Sequence, residues 1–201
     1  MSVQAARFNP FATEHLVKIR YQFETDSLEG LIGQLDAMNR RAALVGPEGH
    51  GKTTLQREIA AHYESRGVTV HWIRLTRDRR VLPTGAIPEL RRILKADDLL
   101  CVDGAEQMNW WTWRKLIRSL PAETGCLITT HQPGLLPTLR QCETTPELLD
   151  RIVAELLRSG FPDWKIPTKD VFARHRGDLR LCLFELYDAY ASGELHELQR
   201  S

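Results

Sequence analysis

Residues 44–54, Leu-Val-Gly-Pro-Glu-Gly-His-Gly-Lys-Thr-Thr, constrain this chain more than any other stretch. Gly46, Gly51, Lys52 and Thr53 stand in the spacing Gly-x4-Gly-Lys-Thr. Glycines at 46, 49 and 51 let the backbone curl without Cβ clashes, so that successive N–H groups face one dense negative charge. Before the loop, Ala42-Ala43-Leu44-Val45 is an apolar run suited to a buried strand. After it, Leu55, Ile59 and Tyr63 recur at helical spacing. A helix that starts at the loop aims its free N-terminal N–H groups at the same charge. Strand, glycine-rich loop and helix together make a phosphate-binding loop.

These residues resemble the P-loop NTPase superfamily. The pattern puts residues 46–54 around a triphosphate: Gly46, Pro47, Glu48, Gly49, His50, Gly51, Lys52, Thr53 and Thr54. Lys52 reaches the β- and γ-phosphates, and the Thr53 hydroxyl ligates Mg2+. About fifty residues on, Leu99-Leu100-Cys101-Val102 ends in Asp103, an apolar strand followed by an acid. In such NTPases this Asp sits beside the P-loop hydroxyl and holds Mg2+.

The rest of the chain reads as alternating strands and helices. Asp26-x-x-Glu29 suggests a capping box opening a helix over 27–39, with Leu28, Leu31, Ile32, Leu35 and Met38 on one face. A helix over 52–66 stops at Gly67. A strand over 68–75 leads into the basic run Arg77, Arg79, Arg80, a solvated loop or a phosphate contact. A short helix over 87–95 precedes the Asp103 strand. Trp113, Leu116, Ile117 and Leu120 make a core face; Trp110 and Trp111 cannot all join it, so one of them is expected at the surface. Strands over 126–130 and near 138–142 have only a short loop between them. Thr145-Pro146 starts a helix with Thr at the N-cap and Pro at N1. Thr168 caps a short helix over 170–175, and Gly177-Asp178-Leu179-Arg180 opens the last one. At the start, Val17, Ile19, Tyr21 and Phe23 alternate like an edge strand. Phe8-Asn9-Pro10-Phe11 is either an arm packed on the domain or a segment near the nucleotide base. The last ten residues look frayed.

The expected fold is α/β: a P-loop NTPase with a five-stranded, mainly parallel sheet flanked by helices, plus a small C-terminal helical lid. Residues 1–26 form an arm, 27–144 the nucleotide-binding domain and 145–201 the lid. A strand between the two motifs resembles the additional-strand branch, and the Gly177–Arg180 turn resembles the lid of AAA+-like ATPases, of the origin-initiator and transposition-helper type. That resemblance implies that Arg180 forks onto the γ-phosphate. It implies that a polar residue at the tip of the 126–130 strand, Thr130 or His131, senses the same group. Those ATPases follow the Asp with Glu; here Gly104 stands there, so the resemblance leaves Glu106, with Glu48 as rival, to position the attacking water. The helix that carries an arginine finger has no room between the last two strands, so an AAA+ ring is not expected. No winged-helix module is visible either.

The composition limits the partners. Of 201 residues 42% are hydrophobic and 26% charged, with a net charge of +1. Neither charge nor motif points to nucleic acid, though a local basic patch is compatible with both. No apolar run is long enough to span a bilayer. The N-terminus lacks a secretion signal and four unspaced cysteines read as reduced thiols, which suggests a cytoplasmic protein. The expected function is that of an Mg-ATP-binding ATPase that hydrolyses slowly or switches a protein partner by nucleotide. A small-molecule or nucleotide kinase, or a non-catalytic module stabilised by nucleotide, are the alternatives. The absence of an Asn/Thr-Lys-x-Asp motif favours ATP over GTP.

Overall fold

The computed structural model describes residues 9–16, 18–23, 26–158, 160–161 and 164–195. In chain order the elements are α1 (Thr13–Leu16), α2 (Leu28–Ala37), β1 (Arg41–Val45), α3 (Lys52–Ser65), β2 (Val70–Arg74), α4 (Ala86–Ile93) and β3 (Leu99–Asp103). A 3-10 turn (Ala105–Gln107) follows, then α5 (Trp110–Ser119), β4 (Gly125–Thr130), β5 (Thr138–Gln141), α6 (Pro146–Leu157), α7 (Thr168–Arg174) and α8 (Leu179–Ser192). The five strands form one sheet in the order β2-β3-β4-β1-β5, and every strand pairing is parallel.

The chain divides into two compact units. The sheet unit is Phe23–Pro47 with Lys52–Cys142. In a parallel sheet both faces are covered, so central strands read as continuous apolar runs rather than alternations. β1, β3 and β4 have that character: Ala42 to Val45, Leu99 to Val102 and Cys126 to Ile128 are fully buried. Alternate residues serve opposite faces. Ala43, Val45, Leu100, Val102, Cys126 and Ile128 share a core with Leu94 of the α4 end, Trp113 and Leu116 of α5, and Leu120 just past it. α3 packs on β1, β3 and β4. Its Gln56, wholly buried, donates from Nε2 to the carbonyls of Val102 and Leu127 at 3.3 and 2.9 Å, tying that helix to two strands.

The helical unit comprises the described part of Met1–Gln22, the loop tip Glu48–Gly51 and Glu143–Ser201. Its core joins Leu148, Leu149, Ile152, Val171, Cys182 and Leu186 with Phe11. Phe11 is therefore core rather than a base-stacking surface: Asn9 fixes it, accepting from the Phe11 N–H at 2.9 Å and donating to the Tyr187 carbonyl at 3.0 Å. Phe8 lies outside the described residues, as do 196–201 of the tail.

Several local expectations need correction. The 17–23 alternation forms no strand among its described residues, which run as a turn at Lys18 and irregular loop after it. Two-residue periodicity alone does not make a strand without a sheet edge to accept it. α2 is capped by Ser27, whose hydroxyl accepts from Gly30 N at 3.1 Å; Asp26 instead pairs with Arg140. Thr168 is the first residue of α7 rather than its cap, and its hydroxyl donates to Asp150 Oδ1 at 2.8 Å. β2 begins at Val70, and as the sheet edge it leaves Trp72 exposed. Trp110 and Trp111 are both exposed, by 53% and 80%. Arg114 lies over the Trp110 ring, 5.1 Å from its centroid.

Candidate nucleotide-binding site

The loop after β1 is rooted by hydrogen bonds on both sides of the strand. Cys142 N donates to Val45 O at 2.6 Å, and Gly46 N donates to Thr130 O at 3.1 Å. A Cβ at Gly46 would collide with the Cys142 carbonyl, so only glycine fits this close backbone approach. Gly49 and Gly51 have φ of 75° and 74°, in the left-handed region that suits glycine. Lys52, the first residue of α3, is buried, and its ammonium donates to the carbonyls of Gly46 and Pro47 at 2.6 Å each. The cation is thus held at the root of the loop that the sequence assigns to phosphates.

Asp103, at the carboxyl end of β3, meets Thr53 of the helix start. The Thr53 hydroxyl donates to Asp103 Oδ1 at 2.9 Å. A hydroxyl that gives its proton to the carboxylate keeps lone pairs free for a hard cation, so this donor set fits Mg2+. A second hydroxyl, Thr129 on the neighbouring β4, donates to the same Oδ1 at 2.8 Å and accepts from Gly104 N at 2.8 Å. Arg74, in register with Asp103 on β2, lies 3.4 Å from Oδ2. Among the described residues no cluster of three or more His, Cys, Asp or Glu is spaced to hold a metal by itself.

Gly104 explains where the expected glutamate went. Its φ is 81°, and a Cβ there would lie 2.7 Å from the Leu75 carbonyl oxygen. No glutamate fits. The chain turns instead through Ala105–Gln107, and Glu106 arrives on that turn. His131, just past β4, has Nε2 3.4 Å from Glu106 Oε1. Gln107 Nε2 donates to the same oxygen at 3.3 Å. Glu106 Oε2 is buried and has no hydrogen-bond partner among the described residues. Such an atom costs free energy unless something else binds there, which marks it as a group awaiting a donor such as water.

In the helical unit, Arg180 lies beside Glu48 of the loop tip. Its Nη1 is 3.2 Å from Glu48 Oε1. Asp178 caps α8, accepting from Arg180 N at 2.9 Å and Leu181 N at 3.1 Å.

No protein-family profile matches this chain, and no curated protein matches it. Solved structures do. RuvB from Thermotoga maritima matches at 18% identity and a TM-score of 0.53, over 80% of this chain and 60% of that one. NtrX from Brucella abortus, in complex with ATP, matches at 15% and 0.60, over 90% and 52%. The replication initiator DnaA, bound to AMPPCP and single-stranded DNA, matches at 16% and 0.59, over 86% and 62%. The fold is that of the AAA+-like P-loop ATPases. At these identities the likeness is one of fold, and this chain spans between 52% and 62% of the length of those structures.

Within this AAA+-like fold, the residues singled out by sequence fall into three places. Lys52, Thr53 and Asp103 lie at the carboxyl ends of β1 and β3, with Glu106 and His131 paired one turn beyond. Arg180 is with Glu48. Thr130 is buried, and its hydroxyl donates to the Gln132 carbonyl at 3.0 Å. Sequence reasoning missed Thr129 and Arg74. Both contact Asp103 through strand register, which residue spacing along one strand does not reveal. Cys101 and Cys126 carry no thiolate chemistry: burial pushes the Cys126 thiol up to about 12 and Cys101 well above the usual thiol range. All four cysteines are buried, and no described helix is long and apolar enough to cross a membrane.

Proposed function

We propose that this chain binds Mg-ATP on the 46–54 loop and is an ATPase that hydrolyses slowly or acts as a nucleotide-dependent switch on a protein partner. The observation that carries the reading is the pairing at the strand ends. Thr53 and Asp103 meet at 2.9 Å, and beside them His131 and Glu106 meet at 3.4 Å with Glu106 Oε2 buried and without a hydrogen-bond partner among the described residues. Two of the similar structures hold ATP or AMPPCP, which supports an adenine nucleotide.

Each residue has a stated task. The loop N–H groups and Lys52 cradle the phosphates, Lys52 exchanging its carbonyl partners for phosphate oxygens. Thr53 and Asp103 would hold Mg2+, which would supply charge neutralisation on the phosphate oxygens. Thr129 keeps the Asp103 carboxylate in one orientation. His131 and Gln107 anchor Glu106 by Oε1, leaving Oε2 to accept the proton of the attacking water. As the water oxygen bonds to phosphorus, the bond to the leaving phosphate oxygen breaks and ADP departs. Arg180 and His131 read the terminal phosphate. Residues 145–201 serve as the lid, and the protein is cytoplasmic.

Phosphate release from Mg-ATP tests this reading in the parent and in Asp103→Asn. The expected result is release by the parent and its loss in the variant. ATP recovered intact from the parent after hours contradicts it. Phosphoryl transfer that requires an added acceptor would make the protein a kinase instead.

A further inference from the structure

Glu48 stands inside the phosphate loop, where an acid works against the charge of the ligand. Its carboxylate Oε1 is 3.2 Å from Arg180 Nη1. Both residues belong to the helical unit, as do Gly49 and the turn before α8. The packing between tip and turn leaves no slack. A Cβ on Gly49 would collide with the Asp178 carboxylate. A Cβ on Gly177 would lie 2.9 Å from the Thr144 hydroxyl and 3.6 Å from His50 Nε2. That hydroxyl donates to the Gly177 carbonyl at 2.8 Å, and Asp178 caps the helix on which Arg180 rides. The Arg180 backbone is therefore fixed against the loop tip. Its side chain is 55% exposed, and its side-chain partner among the described residues is Glu48.

We propose that Glu48 is a specificity-determining residue of the phosphate loop: its carboxylate competes with a nucleotide's terminal phosphate for Arg180 and thereby sets the preference for triphosphate over diphosphate. The inference rests on the ATP-binding reading above. A guanidinium forks onto two oxygens of one anion at a time. Glu48 offers one negative charge and a terminal phosphate offers more, with three oxygens. With a triphosphate, Arg180 exchanges Glu48 for the γ-phosphate. A diphosphate presents no such group, and Arg180 stays on Glu48. Exposed ion pairs contribute modestly, so the competition is worth about 3-fold in affinity.

Equilibrium titrations of Mg-ATP and Mg-ADP against the parent, Glu48→Gln, Arg180→Ala and the double variant test it. The ratio of ATP to ADP affinity rises about 3-fold in Glu48→Gln, falls in Arg180→Ala, and stays put when Glu48→Gln is added to Arg180→Ala. Plain repulsion between Glu48 and phosphate would raise the ratio equally in both backgrounds, and that result overturns the proposal. So does an unchanged ratio in Glu48→Gln. A thermal-unfolding cycle on the same four proteins supplies a second readout. Coupling between 48 and 180 is present without nucleotide and vanishes at saturating Mg-ATP; coupling that persists at saturation overturns the exchange. If the folded parent binds neither nucleotide, all four proteins fail alike and the ATP-binding reading falls, which is distinguishable from failure of the competition alone.

Discussion

The two ends of the sheet are built from similar residues and to opposite effect. At the amino ends of the strands Arg40, Arg41 and Asp98 all have protein partners. Arg40 donates to the carbonyls of Asp97 and Glu123 at 2.8 and 2.9 Å, and Arg41 to those of Thr124 and Pro121 at 3.0 and 2.6 Å. Asp98, buried, takes His71 Nε2 at 2.9 Å and the Lys95 amide at 3.0 Å. At the carboxyl ends Lys52 donates to two loop carbonyls, and Glu106 Oε2 has no hydrogen-bond partner among the described residues. Ligands of open α/β sheets bind outside the carboxyl ends of the strands. The difference between the ends follows: one is closed for stability, and the other holds charges in temporary arrangements.

Substitutions should separate the ends cleanly, and the largest effect falls on the open one. Lys52→Ala should weaken Mg-ATP binding by about 3 kcal/mol, or roughly 100-fold, because a desolvated cation is lost from the phosphates. Its thermal unfolding should stay close to that of the parent. If stability collapses with binding, the open end is structural after all. Next comes Asp98→Ala at the closed end. It strands His71 and the Lys95 amide, and should destabilise the fold by about 2–3 kcal/mol in denaturant unfolding. ATP affinity should stay within about 2-fold, since surviving protein keeps its distant loop geometry.

How much of this contrast was legible in the sequence depends on the distance over which each signal acts. The loop at 46–54 and Asp103 were legible because their chemistry fixes spacing along one chain segment. The buried strands were legible as apolar runs. Strand neighbours were not. Thr129 reaches Asp103, and Arg74 pairs beside it, only because β2, β3 and β4 are adjacent and in register. A strand buried on both faces gives no periodicity from which to tell Thr129 from Thr130. Gly104 was read as a missing glutamate; its φ and the nearby Leu75 carbonyl show a turn that only glycine makes. The 17–23 alternation misled because nothing in the local pattern says whether a sheet edge is available.

Thr129 offers a finer probe, since it belongs to the sheet yet serves the open end. Thr129→Val removes the hydroxyl from Asp103 and leaves Gly104 N without its acceptor. A loss of about 1–2 kcal/mol in stability is expected. The Mg2+ concentration needed for half-maximal ATP binding should rise as well, with Thr129→Ser restoring it. Stability lost without any change in Mg2+ dependence would make Thr129 purely structural.

The smallest effect is in acid. Burial pushes the Asp98 carboxyl up, but hydrogen bonds from the Lys95 amide and His71 outweigh it, and the net pKa lies below 3.8. A lowered folded value stabilises the protein fully above the unfolded pKa of 3.8, and that contribution is lost as pH falls through the folded value. Below about pH 4 the parent should therefore lose stability more steeply than Asp98→Asn. Parallel acid-unfolding curves for the two would show that the closed end does not depend on this carboxylate.

The most direct measurement is single-turnover hydrolysis of Mg-ATP by the parent and by Glu106→Gln, with equilibrium binding followed in parallel. The account predicts equal binding and a rate at least about 100-fold slower in the variant, the usual scale for a lost general base. Turnover at the parent rate would show that Glu106 Oε2 takes no proton, and would contradict the assignment of this end of the sheet as a hydrolytic site.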